Sequence, residues 1–228
     1  DYSEAETRKY IIDVDLRRAG WALDQARDLE FKVTGMPNGP GIGYVDYVLW
    51  GDDGKPLGLV EAKRTTESAE KGQQQAKLYA DCLEEMYCQR PVIFYTNGYA
   101  SWIWDDKFYP PREVAGFYKK DELELLVRRR TLRKPLDSAK IKDAIAGRYY
   151  QKRAIGHLFE QFSQSQRKGL LVMATGTGKT RTAIALVDAM QRAGWAKRVL
   201  FLADRVSLCK QACRAFMRSA SGLGTLIW

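Results

Sequence analysis

Two clusters of residues in this chain have types and spacing suited to chemistry. The first is Asp46, Glu61 and Lys63, set in an otherwise largely apolar run from Gly43 to Arg64. Residues 44–50 are β-branched or aromatic, Gly51-Asp-Asp-Gly54 supplies a turn, and Leu57 to Lys63 returns, which predicts a β-hairpin. With period-2 alternation, Tyr44, Asp46, Val48 and Trp50 share one face of the first strand, and Leu59, Glu61 and Lys63 share one face of the second. Unpaired charge is costly to bury, so a carboxylate pair beside a lysine implies either a divalent metal or an internal ion pair.

The second cluster is Gly176, Gly178, Lys179 and Thr180, between an apolar run at 169–173 and a helical pattern at 181–192. A strand that ends in a Gly-rich turn and opens a helix lets backbone N–H groups wrap a phosphate, here along Thr175, Gly176, Thr177 and Gly178. Lys179 would reach the β- and γ-phosphates of a nucleotide such as ATP, and Thr180 would hold Mg²⁺. The strict phosphate-loop pattern asks for glycine where this chain has Met173.

The surrounding elements decide whether these residues meet. Ser3-Glu4-Ala5-Glu6 reads as a capping box opening a helix over 4–19, ended by Gly20. Residues 21–29 are expected to be partly helical, Phe31–Val33 a strand, and 36–41 a loop. A helix over 67–85 carries Gln75 and Tyr79 one turn apart, on one side. Residues 91–96 form a buried strand, Asn97-Gly98 a type I′ turn and 101–104 another strand, which together describe a mixed α/β domain over 1–133. Residues 121–130 form a helix whose acids and bases match its dipole. A linker over 134–147 follows. Residues 148–228 then read as a βαβα unit, with parallel strands at 169–173 and 198–203.

Composition narrows the class. With 37 Lys and Arg against 28 Asp and Glu, the net charge is +9 and the isoelectric point near 9.3. That balance suits a phosphate backbone, and equally a soluble protein with a basic surface. No run approaches a membrane span and no signal-peptide core is visible, so a cytoplasmic protein with no membrane partner is expected. Four scattered cysteines and the single His157 argue against a zinc site or a disulfide framework.

Met173-Ala-Thr-Gly-Thr-Gly-Lys-Thr180 resembles motif I of superfamily 2 helicases and translocases. Tyr150-Gln151 with Ala154-Ile155 is similar to the adenine-reading glutamine segment of those motors, and Leu202-Ala-Asp-Arg205 with Leu208 and Gln211 to their motif Ia. The resemblance implies the beginning of a RecA-like lobe that binds ATP through Gln151 and residues 175–180. The chain reaches Trp228 before any Asp-Glu box or second lobe, so it is not expected to turn over ATP alone.

Asp46 followed by Glu61-x-Lys63 is similar to the PD-(D/E)xK nuclease core, in which two carboxylates hold Mg²⁺ and the lysine positions or deprotonates the attacking water. Gln75-x-x-x-Tyr79 resembles the motif of the RecB-related subgroup. Glu4 to Arg8 followed by Gly20-Trp21 resembles the opening helix of the restriction subunit of type I restriction enzymes, with Glu4 the acid nearest the site. The order of nuclease motifs, linker and motor motifs is similar to that subunit over essentially the whole chain. The resemblance implies an ATP-dependent endonuclease that cuts double-stranded DNA in complex with methyltransferase and specificity subunits. The competing reading is a helicase whose nuclease-like domain is degenerate and only binds DNA.

Overall fold

A computed structural model describes residues 2–219. The chain divides into two compact units, Asp1–Arg130 and Thr131–Trp228.

The first unit is a six-stranded sheet in the sequential order β1 (Leu29–Thr34), β2 (Ile42–Trp50), β3 (Pro56–Ala62), β4 (Val92–Thr96), β5 (Ser101–Trp104) and β6 (Arg112–Val114). All neighbours are antiparallel except β3 and β4, whose parallel pairing is bridged by α3 (Gln73–Tyr87). A parallel pair requires such a crossover. Helix α3 covers one face, where Ala76, Tyr79, Ala80 and Leu83 pack on Val48, Leu59, Ile93 and Tyr95. The other face holds Tyr47, Leu49, Val60 and Phe94, covered by Ile12 and Leu16 of the N-terminal helix and by Leu123 of α4 (Lys120–Leu132). Every residue of β3 is buried, the apolar run 57–60 and Glu61 alike.

The N-terminal helix starts at the capping box, with the Glu6 carboxylate accepting from Ser3 N at 2.9 Å. It runs as α1 (Glu4–Thr7), a π-helical turn (Arg8–Ile12) and α2 (Asp13–Arg18). Residues 21–28 contain no helix, against expectation; Trp21 instead packs into the second face and donates its indole N–H to Tyr118 O at 2.9 Å. The turn at Asn97-Gly98 is also not type I′, which needs positive φ at both central residues: Gly98 has φ +89° and Asn97 does not. Asn97 Oδ1 accepts from the amides of Tyr99 and Ala100, and this side-chain brace sets the turn.

The hairpin forms with Tyr47 opposite Val60 and Val48 opposite Leu59. Its first strand departs from simple alternation. Val45 belongs to the α3 cluster together with Val48 and Trp50, three and five residues away, and a Cβ on Gly43 would come within 2.6 Å of Tyr79 Cε1. Odd separations cannot share a face of a regular strand. The pleat therefore slips around Asp46, across from Glu30 with its φ of +47°. Tyr44, expected beside Asp46 on the covered face, is 59% exposed.

The second unit packs Ile155 and Phe159 of α5 (Tyr149–Ser163), Ile184, Ala185 and Ala189 of α6 (Lys179–Arg192), and Ala212 and Phe216 of α7 (Val206–Ser219) into one cluster. Leu136, Ile145 and Ala146, from the stretch read as a linker, are buried in it. The two expected parallel strands at 169–173 and 198–203 are absent among the described residues. Alternation is kept, with Phe201 against Phe216 while Leu200 and Leu202 are 79% and 80% exposed, but neither segment has a ladder partner among the described residues. A lone extended segment has no inter-strand hydrogen bonds to hold it as a strand.

Candidate functional site

The fold brings Asp46, Glu61 and Lys63 together at the end of the hairpin, and α3 adds Gln75 and Tyr79. Lys63 Nζ lies 2.6 Å from Glu61 Oε1 and 3.3 Å from Gln75 Oε1; Gln75 Nε2 donates to the Tyr79 hydroxyl at 2.8 Å. Asp46 Oδ2 accepts from Ala62 N at 2.8 Å, tying β2 to the far end of β3. Gly72, just before α3, lets the helix come close: a Cβ there would meet Glu61 Cγ at 2.9 Å.

Electrostatics mark Glu61 as the unusual member. Its side chain is 3% exposed, and Oε2 is buried with no hydrogen-bond partner among the described residues. Burial first, then the charge of Asp46, push its carboxyl up to about 8, against the opposing pull of Lys63. Burial likewise raises Asp46, although the Ala62 N–H and Arg8 favour its ionised form. For Lys63, burial acts downward, but the hydrogen bond and charge of Glu61 carry it above its ordinary value. That rise requires an ionised Glu61, while the pocket resists ionisation. Burial prevails at Glu61, because desolvation of a buried carboxylate does not depend on where the lysine points.

Glu6 is spent on the capping box, whereas the charge of Glu4 is felt at Asp46, Glu61 and Lys63. Arg8, one turn after Glu4, was not legible as a site residue: its guanidinium is 3.2 Å from Asp46 Oδ1. The i, i+4 spacing from Glu4 was the available signal.

Whether a divalent ion fits can be judged from the donors. Among the described residues no group of three or more His, Cys, Asp or Glu side chains is arranged to hold a metal. Mg²⁺, however, is commonly held by one or two carboxylates with waters and phosphate oxygens completing its shell. Asp46 and Glu61 with its unpartnered oxygen meet that requirement.

The glycine-rich loop is built in the second unit. Gly176 and Gly178 take φ of +79° and +88°, values that favour glycine, and α6 opens at Lys179. Thr177 Oγ1 donates to Ala174 O at 2.6 Å, and Lys179 Nζ donates to Met173 O at 2.8 Å. The Thr177 carbonyl accepts from Tyr150 OH at 2.9 Å and Gln151 Nε2 at 3.0 Å. Gln151 is therefore packed under the loop, where a Cβ on Gly178 would meet its Nε2 at 2.6 Å. Tyr150, Ala154, Val172, Met173, Ala174 and Thr177 line a cleft beside it. Thr175 is exposed and Thr180 is half-buried at the first turn of α6.

Known proteins match both halves. The family model for the type I restriction enzyme R protein N terminus matches residues 30–112, and that for the type III restriction enzyme res subunit matches residues 144–224. The endonuclease subunit of the type I restriction enzyme EcoKI from Escherichia coli K12 is 27% identical, over 94% of this chain and 23% of its own length. The EcoAI endonuclease subunit from Escherichia coli is 35% identical, over 73% of this chain and 22% of its own. A solved fragment assigned to an HsdR subunit from Vibrio vulnificus YJ016 superposes with a TM-score of 0.48 at 26% identity, covering 86% of this chain and 39% of that one. The chain spans less than a quarter of the length of the curated relatives. Over most of its length the chain is thus similar to R subunits of type I restriction enzymes, its first half through the model of their N terminus.

Proposed function

We propose that this chain carries the Mg²⁺-dependent nuclease centre and the nucleotide-binding loop of a restriction subunit that cuts double-stranded DNA while an ATP-driven motor translocates it. The observation that supports this most is the buried, unpartnered Glu61 Oε2 beside Asp46, with Lys63 held between Glu61 and Gln75. Asp46 and Glu61 would hold the metal, which when bound supplies a Lewis acid for the scissile phosphate. Lys63, kept as an ammonium by Glu61, orients the attacking water by donating to it. Gln75 fixes the Lys63 ammonium, and Tyr79 fixes Gln75. Residues 1–133 form the PD-(D/E)xK domain, 134–147 the connection, and 148–228 the opening of a RecA-like lobe. There, loop residues 175–178 would cradle phosphate, Lys179 would turn from Met173 O to the β- and γ-phosphates, and Thr180 would hold the nucleotide's Mg²⁺. Gln151 acts on the nucleotide and, through Thr177, on the loop. Methyltransferase and specificity subunits would supply the recognition site, in the cytoplasm.

One observation favours the runner-up, a domain that binds DNA without cutting it: the 2.6 Å Glu61–Lys63 contact already satisfies one carboxylate oxygen. Separate variants of the full protein, assembled with its partner subunits, decide. Glu61→Ala is expected to abolish DNA cleavage and leave ATP hydrolysis intact; Lys179→Ala is expected to abolish both. Cleavage retained by Glu61→Ala, or ATP turnover unchanged in Lys179→Ala, would overturn the corresponding assignment.

A further inference from the structure

Both oxygens of Asp46 are occupied. Oδ2 accepts from Ala62 N, and Oδ1 lies 3.2 Å from Arg8, whose same nitrogen is 3.1 Å from Glu30 Oε1. The Arg8 guanidinium also lies 5.3 Å from the centre of the Tyr47 ring, and Tyr47 OH donates to Asp13 Oδ1 at 2.7 Å. Three departures from regular backbone converge here: the π-helical turn beginning at Arg8, the positive φ of Glu30, and the slip of β2 around Asp46. Single-turn π-helices and strained φ values are costly and gather at functional sites.

We propose that Arg8 is the resident counter-ion of the metal site: without metal it holds Asp46 Oδ1, and on metal entry it yields that oxygen and turns to a phosphate oxygen of bound DNA. This rests on Asp46 and Glu61 being the metal ligands. A guanidinium and a divalent ion compete for the same carboxylate oxygen. Lys63 is the cation beside Glu61, and Arg8 is the cation beside Asp46, as a buried carboxylate requires. Arg8 has room to leave, because Glu30, its other anchor, is 69% exposed in its side chain. Its planar fork then suits phosphate oxygens better than an ammonium would.

The test is Mn²⁺ titration, read by electron paramagnetic resonance, of the wild-type chain and of Arg8→Gln, Arg8→Lys and Asp46→Asn, together with DNA cleavage by the corresponding full proteins. If Arg8 occupies Asp46 about nine-tenths of the time, its removal should tighten Mn²⁺ binding about tenfold. Arg8→Gln should therefore bind Mn²⁺ more tightly and yet cleave more slowly, a combination that lost structure alone would not produce. Arg8→Lys should fall between, and it supplies the readout if Arg8→Gln does not fold. Unchanged or weaker Mn²⁺ binding in a folded Arg8 variant overturns the proposal while leaving the metal site standing. Equal binding by wild type and Asp46→Asn overturns the metal site itself, and the proposal with it.

Discussion

Strand β3 and the segment 169–173 are written in nearly the same residues, Leu-Gly-Leu-Val-Glu-Ala against Gly-Leu-Leu-Val-Met, and they meet opposite fates. Leu59 and Val60 of β3 are completely buried; Leu170 and Val172 are 85% and 89% exposed. The difference is company. β3 has β2 on one side, β4 on the other and helices over both faces. Residues 169–173 have no ladder partner among the described residues. Strand propensity is realised only where neighbours accept its hydrogen bonds and cover its side chains.

The sharpest way to probe this contrast is with matched truncations. Leu59→Ala should destabilise the first unit by about 2–5 kcal/mol, as expected for a buried leucine that leaves a cavity. Leu200→Ala, at a site 79% exposed, should change stability by no more than about 0.5 kcal/mol. Denaturant unfolding followed by fluorescence measures both, and similar losses would mean that the second unit's extended segments are as well packed as the sheet.

A smaller contrast lies in pH dependence. In the first unit Glu61 holds its proton up to about 8, against an ordinary value of 4.5. Between those values the folded state binds a proton that the unfolded chain has lost, so this group's contribution to stability falls as pH rises through the window and levels off above it. In the second unit the sign reverses. Burial would raise Asp188, but Lys142 at 2.8 Å and Arg192 at 2.8 Å hold it below its ordinary range. Its contribution is present above the unfolded value and lost as pH falls through the folded one. Glu61→Gln should flatten the slope between about pH 4.5 and 8, and Asp188→Asn the slope in acid. Melting temperatures across pH check both; a wild-type slope retained in Glu61→Gln would show that its carboxyl is not the group titrating.

Much of the first unit was legible in the residues. Gly51-Asp-Asp-Gly54 announced the hairpin, and the spacing of Gln75 and Tyr79 put both on the inner side of α3, where they continue the chain of contacts from Lys63. What could not be read was set by tertiary contact. The slip at Asp46 depends on Glu30 from another strand, and Arg8 reaches Asp46 across 38 residues of sequence. In the second unit the Gly-rich loop was legible because positive φ at Gly176 and Gly178 is a local demand. The strands expected on either side were not found, since hydrophobic alternation reports a preference for pairing and not the presence of a partner. Gln151 was tied to the nucleotide by resemblance; its hydrogen bond to Thr177 O adds a tie to the loop that no spacing rule would give.

In the proposed metal site of Glu61 and Asp46, Glu61 Oε2 is the oxygen left for the ion. The most direct test compares Mn²⁺ binding by wild type and Glu61→Gln at pH 8, because burial pushes the wild-type carboxyl up to about 8. Wild type should bind one Mn²⁺, and the variant should bind it at least about tenfold more weakly, the usual minimum even for loss of a group that only supports a ligand. Equal affinity in the two proteins would contradict this metal site and leave Glu61 as the internal partner of Lys63.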